Sequence, residues 1–210
     1  MLSLQRLLLS NNDKFFDLLE ASAAEASLCA HELTDLLDAP PEQRTPDGLI
    51  AIRRRNKLVH EETVALLCAS FVTPLEREDI EAVSRRLYRI PKMIEKFSER
   101  LLLAQTHISD ETFQRQIELL KQATGTVQRM VAQLRHRIDL ERIGAENSQL
   151  QQYERAADKL MLELLADLYR DGNTALQMII TRDLFELLER AIDRCRDVGN
   201  VILQIALKNQ

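Results

Sequence analysis

The 210-residue chain contains no tryptophan and only five glycines, five prolines, six phenylalanines and three tyrosines. A many-stranded fold needs a turn about every ten residues, and so few breakers cannot supply them. The three cysteines, Cys29, Cys68 and Cys195, are far apart and odd in number. They form neither a CxxC spacing nor a disulfide framework, which favours reduced thiols and a cytosolic setting. Cys68 and Cys195, set among apolar neighbours, are expected in the core. The longest uncharged run, Thr63 to Leu75, falls short of the ~20 residues that span a bilayer. The amino-terminal MLSLQRLLLSNND lacks a small-residue cleavage site, so no signal peptide is expected. Work at a membrane would be peripheral. Nucleotide and hydrolase signatures (GxGxxG, GxxxxGK[ST], GxSxG) are missing. No Ser, Cys or Lys stands beside a plausible base. His31, His60, His107 and His136 are scattered without the Glu-x-x-His pairs of a buried di-iron bundle. His60, beside Glu61 and Glu62, is expected to be exposed.

What the chain has is charge and helix-forming apolar residues. It is 45% hydrophobic and 29% charged, with a net charge of −5. Residues 1–106 hold 14 basic against 17 acidic residues, and residues 107–210 hold 14 against 16. An acidic balance with few aromatics argues against nucleic-acid binding. Rich Ala, Leu, Glu, Arg and Gln content predicts an all-α fold. The first helix is expected from about Asn12 through ELTDLL, before PPEQ. Thr45 as N-cap with Pro46 at the first helical position opens a second. A capping box from Thr73 to Glu76 opens a third, running to about Ala104. Pro91 lies inside this third helix and is expected to kink it. Ser109-Asp110 opens a fourth, to about His136. The fifth covers about Asp139–Tyr169 and the sixth about Thr174–Lys208. The segment 13–47 carries nine acids against two bases and is expected to form a solvated face.

The halves read as copies. REDIEAVSRRLYRIPKMI (77–94) lays on TRDLFELLERAIDRCRDV (181–198), and IRRRNKLV (52–59) lays on YERAADKL (153–160). The economical reading is two tandem three-helix bundles from an internal repeat, residues 1–106 and 107–210, joined as one elongated body. In this register Glu154 corresponds to Arg53, Asp158 to Lys57, Asp193 to Arg89 and Asp197 to Met93. The second half therefore offers hard oxygen donors and the first does not.

At 100° per residue, Leu150, Ala157, Met161, Leu164 and Leu168 share the apolar side of the fifth helix. Glu154 lies about 50° from its centre and Asp158 about 90°. A carboxylate on the flank of a core wants a partner. On the sixth helix, Glu186, Glu189, Asp193, Asp197 and Asn200 line up nearly opposite the core residues, interleaved with Arg190, Arg194 and Arg196. Such a ridge reads as solvated surface. Any ion held there would sit on the bundle surface. The basic counterpart, Arg85, Arg89, Lys92 and Lys96 with Arg53 and Lys57, forms one stripe suited to an anion or an acidic partner.

FVTPLEREDI (71–80) closely resembles the F-[IV]-T-P-x-x-R-E-D-I signature of PhoU-like proteins, in the branch of phosphate transport regulators and Pit accessory proteins. YERAAD (153–158) resembles that family's E-x-x-x-D element, and AIDRCRDVGNVI (191–202) its final-helix D-x-x-x-D element. The resemblance runs from about Asn12 to Lys208. It implies a PhoU-like pair of three-helix bundles in a cytosolic protein acting on phosphate uptake beside a Pit-type transporter. In the wider family, acidic pairs on neighbouring helices hold surface iron or zinc clusters. Carried over here, the ligands would be Glu154, Asp158, Asp193 and Asp197. The first half departs from that pattern, because cations at the equivalent positions repel an incoming metal ion.

The expectation is a non-enzymatic regulator or adaptor of phosphate transport. Arg53, Lys57, Arg85, Arg89 and Lys92 would meet acidic loops of the transporter, a phosphate-signalling protein, or anionic lipid heads. The rivals are a carboxylate-bridged metal-dependent hydrolase and a purely structural helical adaptor without metal. Further copies of this chain are among the expected partners, as a homo-oligomer.

Overall fold

Long amphipathic segments, each ended by a turn, fold into six helices. The computed structural model describes residues 2–104, 110–136, 138–170 and 172–209. Among them the helices are α1 (Leu2–Asp38), α2 (Asp47–Ala69), α3 (Arg77–Ala104), α4 (Gln114–Gln133), α5 (Leu140–Arg170) and α6 (Ala175–Lys208). Short 3-10 turns at Pro41–Gln43 and Asp110–Phe113 precede α2 and α4. There is no strand among the described residues. Ser109, His107 and the expected boundary between 106 and 107 lie outside the described residues.

The helices α1, α2 and α3 pack on one another, as do α4, α5 and α6. The triplets join through α1 on α4 and, most extensively, α3 on α6. One apolar interior runs through both, from Leu19, Leu33 and Ile52 to Leu150, Leu188 and Ile202. Three rings cross the junction: Phe97 of α3 packs edge-on against Phe113, centroids 5.2 Å apart, and Phe113 against Phe185 of α6 at 5.6 Å. All three are essentially buried. Each contributes about 1.5–3 kcal/mol through burial, with a further ~0.5–1.5 per edge-to-face pair.

The antiparallel α3–α6 seam is pinned at both ends. Lys208 at the end of α6 binds Asp79 at the start of α3, at 2.9 and 3.0 Å, and Glu76 at 2.7 Å. At the other end Arg100 of α3 faces Asp183 of α6 at 3.9 Å. Asp79 and Asp183 are the residues matched by the internal repeat, so the same position closes the seam twice.

Several local expectations are corrected. Helix α1 starts at Leu2, ten residues earlier than read. Helix α2 begins at Asp47 with Pro46, not Thr45, at the cap position and no side-chain cap bond. The Thr73–Glu76 capping box does not form. The Thr73 hydroxyl donates to the Leu75 carbonyl, and the Glu76 carboxylate is taken by Lys208. A capping box does form at Thr174 with Gln177, which starts α6. Cys68 is exposed, because its flank of α2 is left uncovered, whereas Cys29 and Cys195 are buried. His60 is half-buried: it hydrogen-bonds Ser84 Oγ at 2.8 Å and stacks on Tyr88. The acids of α1 are not idle either. Glu25 holds Arg55 of α2 by two bonds of 2.8 and 2.9 Å. Asp17 and Glu20 hold Arg135, whose guanidinium also lies 5.7 Å above the Phe16 ring.

Candidate functional site

Two charged clusters sit at equivalent places, one between α5 and α6 and one between α2 and α3. In the α5–α6 groove, Glu154 comes from α5, and Asp193 and Asp197 come from α6 one turn apart. The expected solvent ridge of α6 is corrected here. Glu189, Asp193 and Asp197 are half-buried, because the adjacent α5 covers the flank that a single-helix projection leaves open. Arg196 fills the space between them. Its Nη1 donates to Glu154 at 2.6 Å, and its Nη2 lies 2.5 Å from Asp193 and 3.4 Å from Asp197. Arg194 closes the outer side, 2.8 Å from Asp197 and 3.7 Å from Asp193. Asp158, in contrast, is exposed and outside this network.

The electrostatics follow from that packing. Burial works against the Arg196 charge, but the fields of Asp193, Glu154 and Asp197 outweigh it and hold the guanidinium protonated above its ordinary value. Glu189 has no such partner. Burial first, then the repulsion of Asp193 and Asp158, pushes its carboxyl up, against the weaker pull of Arg190.

These residues do not fit the iron or zinc cluster that the resemblance implies. Three of the four implied ligands converge, yet they converge on a guanidinium. Among the described residues no group of three or more His, Cys, Asp or Glu side chains is arranged to hold a metal ion. The sequence gives Arg196 no evident role among the α6 arginines. The available signal was its spacing, three residues after Asp193 and on the flank turned toward α5.

In the α2–α3 groove the polarity is reversed. Arg53 donates to Glu95 at 2.8 Å, and the Glu95 side chain is only 9% exposed. A carboxylate amid Ile94, Phe97 and Ser98 needs such a partner, and that was the overlooked sequence signal. Arg53 is therefore bound inward rather than presented. Lys57 pairs with Glu61 at 3.3 Å and Arg85 with Glu81 at 3.3 Å, both within their own helices. Arg89 and Lys92 are exposed and have no ion pair among the described residues; Lys96 extends the same row.

The FVTPLEREDI segment forms the α2–α3 corner. Arg77 reaches back to the Ser70 carbonyl at 2.7 Å and to the Leu67 carbonyl, closing the open end of α2. Asp79 turns inward to Lys208. Phe71 points fully into solvent.

Two solved structures share this architecture over nearly their whole length. One is described as a "putative PhoU-like phosphate regulatory protein" from Shewanella oneidensis MR-1, with a TM-score of 0.72, 16% identity, and coverage of 92% of this chain and 99% of that one. The other, a PhoU-like protein from the same organism, has a TM-score of 0.73 at 17% identity and the same coverage. The chain has the PhoU-like fold. By sequence it is 26% identical over 213 residues, and over the full length of both chains, to a "Putative pit accessory protein" of Rhizobium meliloti strain 1021. It is also 26% identical over 140 residues to UPF0111 protein YkaA of Bacillus subtilis strain 168, covering 67% of this chain and 68% of that one. No family model matches the chain. Among the described residues no helix is long and apolar enough to cross a membrane.

Proposed function

We propose that this PhoU-like chain is a non-enzymatic regulator of inorganic phosphate transport that docks on an acidic segment of a Pit-type transporter or of a phosphate-signalling partner. Full-length similarity to a protein named as a Pit accessory protein supports the process, and the PhoU-like fold is consistent with it. The docking mode rests on one observation. Along α3, Arg89 and Lys92 carry exposed charge with no ion pair among the described residues, whereas Arg53, Lys57 and Arg85 are already paired. Arg89, Lys92 and Lys96 thus line up as a row of exposed charge along α3, the arrangement that steers an oppositely charged partner. Residues 1–106 would present this face and residues 107–210 would form the acidic copy. The protein would sit in the cytosol and reach the membrane through its partner.

Reversing Arg85, Arg89 and Lys92 to Glu together should abolish co-purification with the transporter while leaving the helical circular dichroism unchanged. Binding of the native chain should also weaken steeply with added salt, because exposed charges are screened beyond about 8 Å at physiological ionic strength. Undiminished co-purification of the triple variant would refute the docking mode.

A further inference from the structure

We infer that Arg196 is the built-in cation of the α5–α6 acidic cluster, standing in place of a metal ion, so that this chain's second half works without one. Three facts converge. The two terminal nitrogens of Arg196 face three carboxylates contributed by two helices, at 2.5 to 3.4 Å. The Glu154 and Asp193 side chains are only 18% and 22% exposed, so their charge is poorly served by water and the arginine answers it. Its remaining nitrogen, Nε, is buried without a hydrogen-bond partner, so the guanidinium is held from the carboxylate side alone.

A divalent ion would need the same oxygen lone pairs that the arginine occupies, at about 2.0–2.6 Å. It would also meet a fixed positive charge at contact range. The α2–α3 groove carries the matching device with its sign exchanged: Arg53 on the middle helix reaches Glu95 on the last. In both halves, then, a guanidinium-carboxylate bridge ties the second helix of the triplet to the third. In this reading Glu154, Asp193 and Asp197 with Arg196 serve as an internal clasp rather than a metal centre. It is independent of the docking face on α3, because its test reads metal and not partner binding.

The experiment is metal analysis of the chain purified without chelator, followed by Mn2+ titration read by the electron paramagnetic resonance of the free ion. Hard carboxylate oxygens suit that ion. The native chain should hold less than about 0.1 divalent ion, whereas Arg196→Gln should take up about one Mn2+ per chain, lost again when Asp193→Asn is added. Arg53→Gln, which frees a single carboxylate, should stay empty. Native protein carrying about half an ion or more, lost in Asp193→Asn, would overturn the inference whatever the variants do. So would a folded Arg196→Gln, verified by circular dichroism, that takes up no Mn2+.

Discussion

Glu189 is the residue that the α5–α6 groove leaves uncompensated. Its neighbours Asp193 and Asp158 repel it, and burial removes the water that would otherwise carry its charge. The folded state therefore holds the Glu189 proton more tightly than the unfolded chain does. The stability contributed by this group is full at acid pH. It is withdrawn as pH climbs from the ordinary carboxylate range through the raised folded value. Replacing Glu189 with Gln should accordingly raise the melting temperature at pH 7, by about 2–4 °C for each kcal/mol relieved in a chain of this size. The gain should shrink toward pH 4, where the native carboxyl is already neutral, and parallel thermal melts at the two pH values would reveal it. An equal gain at both would point to packing instead of charge. This group was hard to read beforehand because its surroundings come from another helix. Spacing placed Glu189 among solvent-facing acids, and only the position of α5 turns it into a half-buried one.

At the level of helices, closeness between α5 and α6 depends on Gly199. A β-carbon there would run into Leu150 and come within 2.7 Å of Asn147 Oδ1, both on α5. Both neighbours are almost fully buried, so they have little room to yield. The Gly199→Ala chain should lose about 1–3 kcal/mol through overpacking. Gly144→Ala, where nothing lies within 4 Å, should instead gain about 0.5–1 kcal/mol from helix propensity. Urea denaturation of the two variants would separate them by sign. Helix existence and order were legible throughout, since 3.6-residue periodicity and the PPEQ and Asp171-Gly172 breaks are local signals. The Thr73–Glu76 cap was misread because Lys208, 132 residues away, claims the very carboxylate a capping box requires. The resemblance implies convergence of Glu154, Asp158, Asp193 and Asp197, of which all but Asp158 meet across α5 and α6, whereas spacing alone reads the α6 acids as solvated surface. The spacing of Arg196 put it on the flank turned toward α5, but its reach to Glu154 depends on where α5 lies.

For the molecule as a whole, the two triplets share one interior, crossed by Phe97, Phe113 and Phe185 and clasped by Lys208 on Asp79. Chains cut to 1–106 or 107–210 would bare the α3 or α6 face of that seam. Each piece should aggregate or lose most of its helical signal when expressed alone, and mixing them should restore it; two pieces that each fold and stay monomeric would contradict a shared core. The intact protein should melt in one transition, with aromatic and helical signals changing together. Because α3 lies along α6 and α1 along α4, whatever grips the exposed row on α3 must carry the α5–α6 groove with it.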